Sequence, residues 1–190
     1  MVLTVVFLCA SVPFPVEAQT LPADIGTALI LKALTYDRSL AERFHGKINI
    51  GILYASQNEE ESQYARSFYN SMKVAASQFT IGAIHVESQL IEYSNKSNDQ
   101  KTISKLLQDN NISVVVVFVH NKALLQAIAK TTQGLNINSF CTTKRCLEGG
   151  IAFGIFVQGN RPRMYVNLNA AREEGSDYSG KLLSLCETVK

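Results

Sequence analysis

The side chains best suited to chemistry in this chain are three histidines, His45, His85 and His120, and four cysteines, Cys9, Cys141, Cys146 and Cys186. No histidine stands at a metal-ligand spacing from another His, Cys, Asp or Glu, so the pattern gives no metal site. There is no Gly-x-Ser-x-Gly elbow, no phosphate-binding glycine loop and no dinucleotide fingerprint. Where such a fingerprint would follow the first strand, the chain reads Tyr54-Ala55-Ser56-Gln57. Acyl transfer, nucleotide hydrolysis and hydride transfer lose their usual signatures together, and neither a catalytic residue nor a cofactor is expected. The pair Glu173-Glu174 reads as a solvated helix surface, because neighbours on a helix do not face one another.

Three groups remain. Cys141 and Cys146 flank Thr142-Thr143-Lys144-Arg145, a polar loop that can turn enough to bring the sulfurs together, and a local disulfide is expected there. A ring of this size contributes about 2 kcal/mol by chain entropy and fixes the entrance to the following strand. Two free thiols and a redox switch are the rival readings. Ser56-Gln57-Asn58 and His120-Asn121-Lys122 form the second group, each following a strand and preceding a helix. Ligands of open α/β sheets bind in the crevice outside the carboxyl ends of the strands. These six residues are therefore candidate contacts to a small ligand, with helix-start N–H groups and Lys122 suited to an anion. The alternative is ordinary caps and loop residues. Arg161 and Arg163 are the third group: one lies in the hairpin turn and the other two positions on, so if the strand begins at Arg161 both can project to one face. They can meet a carboxylate of a partner or ligand, or stand as solvated charges that keep a sheet edge from pairing.

The elements that must position these groups follow from periodicity. Apolar residues at helical spacing predict one long helix over residues 24 to 44, a strand over 47 to 54 and a helix over 59 to 79. Strands are expected at 80 to 86 and 90 to 93, and a helix at 99 to 109. The run Ser113 to Val119, SVVVVFV, has the composition of a parallel strand covered on both faces. A helix over 123 to 130, closing at a Gly134 loop, and a strand over 137 to 140 come next. Residues 150 to 158 and 163 to 168 are separated by Gly159-Asn160-Arg161-Pro162, too short for a crossover, so they predict an antiparallel hairpin. A helical turn over 169 to 174 and a last helix over 178 to 189, with Cys186 on its inner face, complete the chain. The expected fold is a three-layer Rossmann-like α/β domain with a mainly parallel sheet, a long N-terminal helix, and a C-terminal antiparallel hairpin plus helix.

With 190 residues, 46% hydrophobic and 18% charged, the composition fits one globular domain. A net charge of +2 without blocks of like charge gives no case for nucleic acid. The start, MVLTVVFLCA followed by a Pro-broken stretch and Val16-Glu17-Ala18, reads as a secretory signal over residues 1 to 18, although no Lys or Arg precedes its apolar core. Val6-Phe7-Leu8 lacks the small residue that lipidation of Cys9 requires. Cleavage after Ala18 would leave a single domain, residues 19 to 190, in an oxidising compartment.

The stretch from Gly149 to Leu185 carries a strand, a turn with Arg161 and Arg163, a strand ending Val166-Asn167-Leu168, then Ala170-Ala171-Arg172, Gly175, Ser179 and Leu182-Leu183. This order resembles the closing hairpin and helix of the YfiR-like family of exported bacterial proteins, and Ala28 to Leu34 is similar to that family's first helix. Where many members have an aromatic-rich segment ending in Trp-Pro, this chain has Tyr36-Asp37-Arg38-Ser39-Leu40 and contains no Trp, which marks a divergent branch. The resemblance implies a non-enzymatic periplasmic regulator that acts as a homodimer. Its partner would be a membrane-bound signalling protein, a diguanylate cyclase or a histidine kinase, whose output, such as cyclic di-GMP, it modulates. Arg161, Arg163 and Asn167 are then candidate contacts to the partner or a ligand. A single-lobe periplasmic small-molecule-binding protein is the alternative.

Overall fold

The computed structural model describes residues 20–44, 46–56, 58–94 and 99–189, so the expected signal over residues 1 to 18, with His45 and Gln57, lies outside the described residues. The chain opens with α1 (Ala23–Leu34) and the single turn α2 (Leu40–Arg43), followed by β1 (Lys47–Ala55), α3 (Glu59–Ala76), β2 (Thr80–Ile81), β3 (Ile84–Tyr93) and α4 (Gln100–Asp109). It continues through β4 (Val114–Phe118), α5 (Lys122–Leu135), β5 (Asn138–Cys141), α6 (Lys144–Glu148), β6 (Phe153–Gln158) and β7 (Arg161–Asn167). The closing elements are α7 (Leu168–Glu173), α8 (Gly180–Leu183) and β8 (Cys186–Val189).

The eight strands among the described residues form one sheet in the order β2-β3-β1-β4-β5-β6-β7-β8. Neighbours from β3 to β6 are parallel, β2 and β7 run antiparallel to β3 and β6, and β8 lies parallel to β7. The expected mainly parallel α/β architecture is therefore present. The apolar runs in the central strands exist because both faces are covered. In β4, Val114, Val116 and Phe118 join one core with Ile30 and Leu34 of α1 and Phe68 and Met72 of α3. Val115 and Val117 point the other way, into a second core with Ile103 and Leu107 of α4 and Leu125 and Ile128 of α5. Gly26 lets α1 approach α3 closely, since a Cβ there would lie 2.7 Å from the Phe68 ring.

The structure departs from periodicity where tertiary polar contacts intervene. The helix expected over residues 24 to 44 stops at Leu34, because Asp37 leaves it to form a β-bridge with Tyr178. Strand 80 to 86 is broken by Gly82 at φ +62°, and β3 then runs unbroken to Tyr93. α5 continues past residue 130 through Gly134 and ends at Asn136, in the left-handed region at φ 53°. The supposed cysteine loop contains α6. The hairpin is present, but its turn is only Gly159-Asn160, both at positive φ, so Arg161 belongs to β7 rather than to the turn. The last helix is reduced to α8. Cys186 sits half-buried in β8, not on a helix, because the chain turns back to pair with Met164 to Asn167.

A buried ion pair holds the turn after α1 in place. The Asp37 side chain is 0% exposed and accepts hydrogen bonds from Arg43 Nη2 at 2.8 Å and Asn138 Nδ2 at 2.8 Å. Its other oxygen accepts from the Asp177 backbone N–H at 2.9 Å. Arg43 also donates to the carbonyls of Asn136 and Glu174 and to Asn138 Oδ1. One carboxylate thus ties the α1–α2 turn to β5 and to the C-terminal loop. Arg43→Met leaves that carboxylate buried without its cation and is expected to lower unfolding free energy by about 3 to 5 kcal/mol in urea denaturation. Adding Asp37→Asn should recover part of the loss, whereas independent, additive effects would show that the pair does not hold the turn.

Candidate functional site

In the order β3-β1-β4 the chain leaves β1 through α3 on one face of the sheet and leaves β4 through α5 on the other. Loops at the carboxyl ends of β1 and β4 therefore part, and a crevice forms between them. A cleft of about 1010 Å³ opens there. Its walls come from the start of α3 (Asn58, Glu60, Glu61, Tyr64), the end of β4 (Val117 to His120), the β5–α6 segment (Thr142 to Glu148) and the β6–β8 edge, which supplies Phe156, Gln158, Tyr165 and Glu187.

Of the residues expected at the strand ends, Asn58 and His120 line the cleft. Ser56, Asn121 and Lys122 lie outside its walls, and Gln57 is not among the described residues. Asn58 caps α3, its oxygen accepting from the N–H groups of Glu60 and Glu61, and Asn121 caps α5 by accepting from Leu124 N–H. The N–H groups of Glu60, Glu61 and Leu124 are thus engaged by the chain's own side chains. The Glu61 carboxylate is only 9% exposed, accepts from Asn58 Nδ2 at 2.9 Å and pairs with His120 Nδ1. Four carboxylates in the walls, Glu60, Glu61, Glu148 and Glu187, face Lys144, Arg145 and His120.

Opposite α3, Phe156 and Tyr165 stack with ring centroids 4.3 Å apart and planes 1° from parallel, and the Tyr165 hydroxyl is held by Gln158. This aromatic wall comes from the hairpin and is not visible as a site in the sequence. Nor is Glu61, although Asn58 followed three positions later by Glu is capping-box spacing. Burial pushes the Tyr64 hydroxyl up to about 12, and it donates to the Leu21 carbonyl at 2.5 Å, so it stays neutral and fixes the chain entering α1. Arg161 and Arg163 are exposed on β7, outside the cleft, while Asn167 caps α7 by accepting from Ala170 N–H.

Cys141 and Cys146, the pair expected to form a disulfide, are both buried and stand here as thiols hydrogen-bonded to one another. Thr143 caps α6, so residues 142 to 145 are wound into strand end and helix start instead of a free loop. Both thiols reach the Thr143 carbonyl, at 3.5 and 3.4 Å. Burial, together with the bond to and charge of Cys146, holds the Cys141 thiol well above its ordinary range. Burial also opposes ionisation of Cys146, yet hydrogen bonds from Cys141, Thr143 and the backbone outweigh it and lower that thiol. Among the described residues no three His, Cys, Asp or Glu side chains group in a way that would hold a metal ion.

In comparisons with known proteins, a family model described as YfiR/HmsC-like matches residues 25–187. No curated protein sequence matches the chain. Among solved structures, an ABC domain in complex with L-Trp from Streptococcus pneumonia has a TM-score of 0.63 at 12% identity, covering 89% of this chain and 60% of that one. A conserved domain protein from Vibrio cholerae has a TM-score of 0.60 at 14% identity, with 89% and 60% covered. A ligand-free, open substrate-binding protein with adhesive properties from Clostridium difficile has a TM-score of 0.53 at 13% identity, with 80% and 58% covered. At such identities the likeness is one of fold, and the chain spans about three-fifths of those proteins' length.

The thiol pair yields a direct expectation. In the reduced protein a small alkylating reagent should modify Cys146, which lines the cleft, ahead of Cys141, as read by peptide mass spectrometry over time. Equal rates, or Cys141 first, would contradict the assigned asymmetry.

Proposed function

Because the chain belongs to the YfiR/HmsC-like family, we propose that it is a non-enzymatic regulator in the periplasm that binds a membrane-bound signalling protein and modulates its output. The family match over residues 25–187 is the observation that carries this reading. The partner is a diguanylate cyclase or a histidine kinase, and the regulator acts as a homodimer. No helix among the described residues is long and apolar enough to cross a membrane. Arg161 and Arg163, exposed on the hairpin, are available to a carboxylate of the partner. In the oxidising compartment Cys141 and Cys146 close to a disulfide, which non-reducing mass spectrometry of the exported protein would detect as a linked peptide; two alkylatable thiols there would contradict it.

The cleft favours a second reading, a single-lobe small-molecule-binding protein. It lies where doubly wound folds bind ligands, and its aromatic wall and surplus of carboxylates suit a ligand with an apolar part and a positive charge.

Deleting the gene and restoring it separates the two. For a regulator that restrains a cyclase, cyclic di-GMP rises severalfold on deletion and falls again when the exported chain is supplied, but not when a version lacking residues 1 to 18 is kept in the cytoplasm. For a kinase partner, phosphorylation of its response regulator changes in the same pattern. If neither output moves while uptake of a small solute is impaired, the second reading replaces the first.

A further inference from the structure

At the opposite end of the sheet from the cleft, Glu174 is 0% exposed, although its neighbour Glu173 is on the surface. Its Oε2 accepts from the Ser139 backbone N–H at 2.8 Å, and its Oε1 from Ser139 Oγ at 2.5 Å and Thr132 Oγ1 at 2.8 Å. Ser139 Oγ in turn accepts from Ala152 N–H at 3.0 Å, which leaves its own proton for Glu174. All three donors are neutral.

The only cation bonded into this cluster, among the described residues, is Arg43, and its charge is already engaged. It pairs with Asp37 at 2.8 Å, and toward Glu174 it donates only to the backbone carbonyl, at 2.9 Å. The cluster therefore holds two carboxyl groups against one guanidinium. Its titratable and charged members are Arg43 from α2, Asp37 from the α1–α2 turn and Tyr178 from the C-terminal loop; α5 and β5 contribute only Thr132, Asn138 and Ser139. Burial, with Asp37 and Glu174 nearby, holds the Tyr178 hydroxyl far above its ordinary range, so it stays neutral and supplies no charge. A protonated Glu174 leaves the cluster electrically balanced, whereas an ionised one leaves a net negative charge away from water, which is costly.

We propose that Glu174 is a proton-binding site whose occupancy sets how tightly the C-terminal loop, residues 174 to 178, holds the segment 37 to 43. Such a site goes beyond the regulatory reading and stands whether or not that reading holds. Burial, the largest influence, pushes the carboxyl up to about 7 against the opposing pull of Ser139, Thr132 and Arg43. A folded-state value raised above the ordinary 4.5 means that its stabilising contribution is complete below about 4.5. That contribution is withdrawn as pH rises and is gone above about 7. The loosened part is the clamp itself, where the Asp177 N–H meets Asp37 and the Arg43 guanidinium meets the Glu174 carbonyl.

The test compares the full chain with Glu174→Gln, which keeps the shape and is permanently neutral. Between about pH 5 and about pH 8, wild-type melting temperature should fall relative to the variant. Protection of the Ser139 and Asp177 amides from exchange, corrected for intrinsic rates, should fall by roughly tenfold or more in the wild type and hold steady in the variant. The difference between the two proteins removes every pH effect that they share. Should the variant not fold, carbon-13 titration of the wild-type Glu174 carboxyl decides: a midpoint near neutrality supports the site. A midpoint at or below the ordinary carboxyl value, or identical pH profiles for the two proteins, would overturn it.

Discussion

β1 is hydrogen-bonded in parallel to β3 along one edge and to β4 along the other, and the rest of the molecule follows from that placement. A strand so placed can have no solvent face, so its neighbours must alternate apolar side chains into two cores, as Val114 to Val117 do. Right-handed crossovers then send α3 and α4 to opposite faces, and the loops at the carboxyl ends separate. The cleft is a consequence of connectivity. Its lining comes from elsewhere: the Phe156–Tyr165 wall depends on the hairpin, and the β5–α6 wall on the Thr143 cap.

The other end of the sheet is closed by charge. Asp37, Arg43 and Glu174 occupy the amino end of β5, and their hydrogen bonds join three segments far apart in sequence. Buried charge of this kind is a weak source of net stability but severe when unbalanced. It fixes where α1 must end and how the C-terminal loop returns. The sheet therefore has one end open to solvent and lined with acidic and aromatic side chains, and another sealed by a polar cluster with little tolerance for a second unpaired charge.

Much of this architecture is legible in the order of the amino acids. The run at Val114 to Phe118, the polar punctuation after β1 and β4, and the short Gly159-Asn160 link are local signals that tertiary contacts only reinforce. What stays hidden is long-range. Residues 35 to 44 have helical periodicity, and only Asn138 and Asp177, over a hundred residues away, explain why Asp37 breaks it. Glu174 beside Glu173 looks like surface until β5 supplies Ser139. Leu185 and Cys186 continue an apolar helical pattern, yet the open edge of β7 captures the chain as β8. In the cleft, Asn58 and His120 are identifiable from their position after strands, but their partner Glu61 and the aromatic wall emerge only from the fold.

The chain belongs to the YfiR/HmsC-like family, and its doubly wound sheet places a cleft at the switch point. The regulatory reading stands or falls on whether the bound partner is a membrane signalling protein. Affinity capture of the exported chain from detergent-solubilised membranes decides this. An integral membrane protein carrying a cyclase or kinase domain should co-purify; recovery of a transport permease instead, or of no integral membrane protein, would contradict the regulatory reading.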